Sequence, residues 1–114
     1  MPVAAQDAGT LAAVSQALVD ALRARGWTLA TAESCTGGGV AHAVTAIPGS
    51  SDVFDRGFVT YSNRAKTDML GIPAATIDGE GAVSEAVAAA MAEGAMKASG
   101  ADVAVAITGV AGPG

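Results

Sequence analysis

The chain has 114 residues, a formal net charge of −5, 51% hydrophobic and 15% charged residues, and 28 alanines with 15 glycines. That length suits one domain of the common ~100–150 residues, and so apolar a composition with so few charges excludes a disordered chain. Six unclustered basic residues against eleven acidic ones exclude a general nucleic-acid binder, one cysteine excludes an intrachain disulfide framework, and no apolar run reaches the ~20 residues of a membrane span.

Residues 1–9 are expected to form a disordered tail, without the basic region and apolar core of a signal peptide; the single cysteine makes the cytoplasm the expected compartment. The domain is expected over residues 10–114. Leu11, Val14, Leu18 and Leu22 recur at helical spacing after a Thr10 cap, and Gly26 supplies the stop. Trp27 to Ala32 reads as a buried strand. The glycine-rich ESCTGGG breaks it, and Gly38 to Ile47 predicts a small-residue helix ended by Pro48 and Gly49. Arg56 to Ser62 carries the β-branched and aromatic cluster of a second strand. Ser62 or Asn63 can cap a helix through Lys66 to Leu70, which Gly71 and Pro73 stop. Residues Ile72 to Gly81 read as loop, Ser84 to Ser99 as a capped alanine-rich helix ended by Gly100, and Asp102 to Thr108 as a strand with period-two valines. The order α-β-α-β-α-α-β predicts an α/β fold, a three-layer sandwich with a largely parallel sheet flanked by helices.

Chemistry concentrates in Thr31 to Gly39. A strand ends there and a glycine turn feeds a helix, which sets Ser34, Cys35 and Thr36 among backbone N–H groups that suit an anion or a developing oxyanion. Ser34 there has the surroundings of an acyl-transfer nucleophile; equally, Ser34 and Thr36 can do no more than cap the helix. The loop is neither a GxxxxGK[ST] nor a GxSxG motif. The single histidine, His42, lies about two helical turns from Ser34, an awkward place for its base. Lys66 follows the second strand, so a parallel neighbouring strand would bring it to Ser34's edge of the sheet, where burial can make a base of it; on its own it can also be a solvated charge. Cys35 has no identifiable partner and reads as a small hydrophobe. Glu33 can orient Lys66, bind a ribose hydroxyl, or stand in water as a loop carboxylate. No His, Cys, Asp and Glu cluster has metal-ligand spacing, so neither metal nor cofactor is expected. Thr108 to Gly114 is a second glycine loop after a strand, a candidate phosphate nest.

The blocks AESCTGG (Ala32 to Gly38), PGSS (Pro48 to Ser51), FVTYSNRAK (Phe58 to Lys66), GAVSEAV (Gly81 to Val87) and AITGVAGPG (Ala106 to Gly114) resemble the CinA C-terminal domain, the nicotinamide-nucleotide amidase family. The resemblance implies an amidohydrolase that deamidates nicotinamide mononucleotide to nicotinate mononucleotide and ammonia in pyridine-nucleotide salvage. It carries a Ser-Lys pair to Ser34 and Lys66 and sets Tyr61 with them in the catalytic set; the helix-entry amides of Thr36, Gly37 and Gly38 are then the expected oxyanion donors. Glu33, Ser51, Thr108, Gly109 and Gly112 complete the implied substrate-binding set. It also implies a homo-oligomer, at least a dimer; the acidic balance and the lack of a membrane-length apolar run leave no nucleic-acid or membrane partner expected. Family members continue past the last glycine loop with further strands and a closing helix, so the domain reads as cut before its last strands. A non-catalytic nucleotide-binding or partner-binding module of the same fold is the alternative reading.

Overall fold

A computed structural model describes the backbone of residues 3–110 and the side chains of residues 10–110. Three strands, β1 (Leu29–Glu33), β2 (Phe54–Val59) and β3 (Val103–Ile107), form one sheet in the order β2-β1-β3. Both pairings are parallel, with Leu29 opposite Phe54 and Val103, and Glu33 opposite Val59 and Ile107. All three strands therefore end at one edge, where the loops after Glu33, Val59 and Ile107 meet. β1 is central and buried throughout.

The β1–β2 connection carries α2 (Gly39–Thr45) and a 3₁₀ turn (Ser50–Asp52), and α1 (Val3–Arg25) precedes β1 on the same face. There Val19, Leu22, Leu29, Val44, Ile47 and Val53 form one core. The β2–β3 connection carries α3 (Asn63–Leu70), α4 (Ala74–Glu80) and α5 (Glu85–Ser99) over the other face, where Ala30, Ala32, Leu70, Ile77, Val87 and Met91 form the second core. Alternation along β1 divides Leu29 from Ala30 and Ala32, one strand serving two layers. The sandwich expected from the sequence is the one observed.

Local signals fix the helix ends. Ser62 Oγ accepts from Ala65 N at 3.0 Å at the start of α3, and Ser84 Oγ from Val87 N at 3.1 Å at the start of α5. Gly71 and Gly100 close the same helices with φ of 71° and 73°, a left-handed turn that suits glycine.

Four expectations change. Helix α1 starts at Val3 and not at a Thr10 cap, and its buried positions include Ser15, Val19 and Leu22, whereas Leu11 and Val14 are each 59% exposed. A 23-residue helix spans ~35 Å and a five-residue strand ~16 Å, so the N-terminal part of α1 overhangs the sheet. Strand β1 runs on to Glu33, and β2 is displaced to Phe54–Val59 because its ladder follows that of β1. The stretch expected to be loop contains α4; its residues AATIDGE are mediocre helix formers, and burial of Ile77 decides the matter.

Helix α5 crosses the end of α3 at Gly94, where a Cβ would collide with the Leu70 carbonyl. Gly94→Ala is therefore expected to destabilise the fold by about 1–3 kcal/mol, the usual range for overpacking, despite alanine's better helix propensity. Urea denaturation checks this; an unchanged or raised midpoint would mean that α3 and α5 pack less closely.

Candidate active site

The loops at the strand ends enclose a cleft of about 270 Å³, lined by Ser34, Cys35, Tyr61, Asn63, Lys66, Ala82, Val83, Thr108, Gly109 and Val110. A larger surface hollow of about 530 Å³ lies between the end of α3 and the outer face of α5, bordered by Met69, Pro73, Glu93 and Lys97. It holds neither hydroxyl nor thiol, so the chemistry belongs to the smaller cleft.

Ser34 directly follows β1 and Lys66 stands in the first turn of α3, so parallel pairing of β1 with β2 brings them together. Lys66 Nζ donates to Ser34 Oγ at 3.1 Å, to the Thr60 carbonyl at 3.0 Å and to the Tyr61 carbonyl at 3.4 Å. The Lys66 side chain is 1% exposed, and no carboxylate pairs with it among the described residues. Burial holds its amine below the ordinary 10.5, while the neighbouring Cys35 sulfur pulls the other way. The Ser34 hydroxyl itself donates to the Tyr61 carbonyl at 3.4 Å; a neutral Lys66 would keep its two protons for the two carbonyls and turn its lone pair to that hydroxyl.

Glu33 neither orients Lys66 nor stands in water. It is buried, its Oε1 accepts from Thr36 Oγ1 at 2.6 Å and Val40 N at 2.8 Å, and its Oε2 accepts from Ala41 N at 3.0 Å. Burial raises its pKa, but the hydrogen bonds from Thr36, Ala41, Val40 and Gly38 outweigh this and hold it below 4.5. The run of oxyanion donors expected at Thr36 to Gly38 narrows accordingly. Gly37 N donates to the Ser34 carbonyl at 3.1 Å, Gly38 faces the Glu33 carboxylate, and Ser34 N donates to the Ile107 carbonyl at 3.0 Å. Among the described residues, the Cys35 and Thr36 N–H groups have no acceptor.

The other expected site residues fall in three places. Gly109 lines the cleft against the Cys35 sulfur, and Thr108 lines it while donating its hydroxyl to the Ala82 carbonyl at 2.7 Å. Tyr61 meets Lys66 and Ser34 through its carbonyl, and its side chain is 65% exposed. Ser51 is not brought to the cleft: it precedes β2, at the opposite end of the sheet from Ser34. Gly112 lies outside the described residues. His42 is exposed on α2, away from the pair. The Thr60 carbonyl was not foreseen, since a backbone acceptor leaves no mark in side-chain identity.

Residues 11–114 match the family model of the CinA C-terminal domain. The chain belongs to that family. The nicotinamide-nucleotide amidohydrolase PncC of Escherichia coli strain K12 is 57% identical over 100 residues, 88% of this chain and 61% of that protein. A CinA-like protein of Synechococcus sp. strain RCC307 is 57% identical over 101 residues, 89% of this chain and 24% of that protein. Among solved structures, a competence-damaged protein (CinA) superfamily protein of Escherichia coli has a TM-score of 0.90 at 42% identity, covering 94% of this chain and 62% of that one. The chain thus spans less than two thirds of each of these relatives. No described helix is long and apolar enough to cross a membrane.

The depressed pKa of Lys66 gives this CinA-family domain a stability that depends on pH. Between that value and 10.5 the unfolded chain binds the proton and the folded chain does not, so stability rises with pH in that window; below it the burial penalty is in full force. Wild type should therefore gain on Lys66→Met between neutral pH and about pH 10 in paired denaturant titrations, the span given by the ordinary lysine value. Parallel profiles would mean that the amine stays charged in the interior.

Proposed function

We propose that this domain is an amidohydrolase that deamidates nicotinamide mononucleotide to nicotinate mononucleotide and ammonia, with Ser34 as nucleophile and Lys66 as its base. The observation that carries the reading is the 3.1 Å contact between a buried, carboxylate-free lysine amine and the Ser34 hydroxyl. The PncC name of the 57% identical relative supports the substrate class. Neutral Lys66 takes the Ser34 proton as Oγ attacks the carboxamide carbon, and the Cys35 and Thr36 amides receive the oxyanion. The C–N bond then breaks, Lys66 returns the proton to the departing ammonia, and water cleaves the acyl-enzyme to release the carboxylate. The positive pyridinium ring activates the carboxamide carbon and repels a proton from Lys66. The cleft, just under the ~300–1,000 Å³ of ordinary small-molecule sites, suits the ring and carboxamide, with Tyr61, Val83 and Val110 at its mouth. The reaction serves pyridine-nucleotide salvage in the cytoplasm, a reducing compartment that suits the single free Cys35.

Ammonia release from nicotinamide mononucleotide tests this. Ser34→Ala and Lys66→Ala are each expected to lose about three orders of magnitude or more in kcat, as members of such pairs do elsewhere. The wild-type rate should fall as pH drops through the depressed Lys66 pKa, because protonation removes the base. Unchanged turnover in both variants would sink the mechanism. Thermal stabilisation by the nucleotide without turnover would favour a non-catalytic binding module instead.

The same reading includes self-association, supported by the outer edge of β3, which no described strand pairs, and by the exposed Leu11 and Val14 of α1. Light scattering should report at least a dimer; a monomer persisting at high concentration contradicts it.

A further inference from the structure

Glu33 is the last residue of β1, directly before Ser34, and it is 1% exposed. A buried carboxylate is costly to keep unless its oxygens are filled, and here three donors fill them: Thr36 Oγ1, Val40 N and Ala41 N. Two consequences follow for the loop between β1 and α2. The anion position at the start of α2 is occupied by the protein's own carboxylate, so that helix start is closed to a substrate anion. The loop is also pinned at both sides of its functional peptides. Ser34 is held through its N–H on the Ile107 carbonyl, and Thr36 through its hydroxyl on Glu33. Between those two anchors lie the Cys35 and Thr36 N–H groups, the pair that has no acceptor among the described residues.

We propose that Glu33 is a positioning residue, which acts through Thr36 to hold the Cys35 and Thr36 amides as the oxyanion donors for Ser34. This rests on the reading of Ser34 as nucleophile. A donor aimed in advance stabilises charge that develops during the reaction without reorganising at that moment. Deleting one donor outright costs ~10²–10³ in rate in a documented protease. Untying the loop loosens the donors without deleting them, and about tenfold is the expected loss.

Phosphonylation of Ser34 by a fluorophosphonate, followed by intact mass, tests this without depending on the natural substrate. Ser34 Oγ forms the P–O bond, fluoride leaves, the Ser34 proton passes to Lys66, and the phosphoryl oxygen takes the oxyanion's place. Thr36→Val and Glu33→Gln should each label about tenfold more slowly at saturating probe, with the half-saturating concentration and the Lys66 limb of the pH profile unchanged. The double variant should be no slower than the slower single one, because both changes weaken the same tether: Thr36→Val removes its donor, and Glu33→Gln replaces one of its two acceptor oxygens with an NH2 group. Thr36→Ser, which keeps the hydroxyl, should recover the rate to within a factor of about three. Thr36 is exposed, so its variants keep the question answerable even if Glu33→Gln fails to fold. Wild-type labelling by Thr36→Val, or a loss confined to the half-saturating concentration, would overturn the proposal; Ser34→Ala remaining unlabelled would then leave the nucleophile reading intact. Equal labelling of Ser34→Ala would instead refute that reading and this proposal with it.

Discussion

The interior position of the Lys66 amine is the constraint on which the site depends. It has a serine hydroxyl and two backbone carbonyls for company and no carboxylate to hold it charged. Burial without an anion favours the neutral amine, and neutrality is what lets a lysine accept a proton from serine. The carbonyls of Thr60 and Tyr61 belong to the turn between β2 and α3, so the place of the amine is set by main chain. That turn in turn depends on β2 ending level with β1, through the pairing of Glu33 with Val59, and on the Ser62 cap that starts α3.

The glycine loop after β1 has the outward form of a phosphate cradle, yet its electrostatics are those of a closed one. The Glu33 carboxylate occupies the start of α2, and the Gly37 and Gly38 amides turn to partners inside the protein. A glycine-rich turn that leads into a helix is therefore an anion site only where its amides lack an internal acceptor. Thr108 shows the same economy of polar groups: its hydroxyl joins the end of β3 to the loop before α5, and so shapes the cleft wall.

Where expectation and structure diverge, long-range packing is the cause. Leu11 and Val14 keep helical spacing with Leu18 and Leu22, but the sheet is too short to reach them. Helix α4 has weak propensity and exists because Ile77 fills the core beside Leu70 and Ile72. Ser51 sits in a block that resembles the family as closely as the others, while the sheet stands between it and Ser34. Periodicity and motif identity record which residues matter together, not how far the fold carries them apart.

Local chemistry was legible in the chain itself: the caps at Ser62 and Ser84, the glycine stops at Gly71 and Gly100, the alternation of β3, and the α/β order with its parallel sheet. These are short-range effects, fixed within a few residues by hydrogen bonding and allowed backbone angles. Composition also set the close approach of the layers, since alanine and glycine at Ala30, Ala32 and Gly94 let α5 lie near the sheet and α3. Tertiary structure alone decided that Lys66 is buried, that the Thr60 carbonyl orients it, and that Glu33 faces α2 and not the lysine. A residue's solvent exposure and hydrogen-bond partners come from elements distant in the chain, and they determine whether a lysine is a base or a solvated charge.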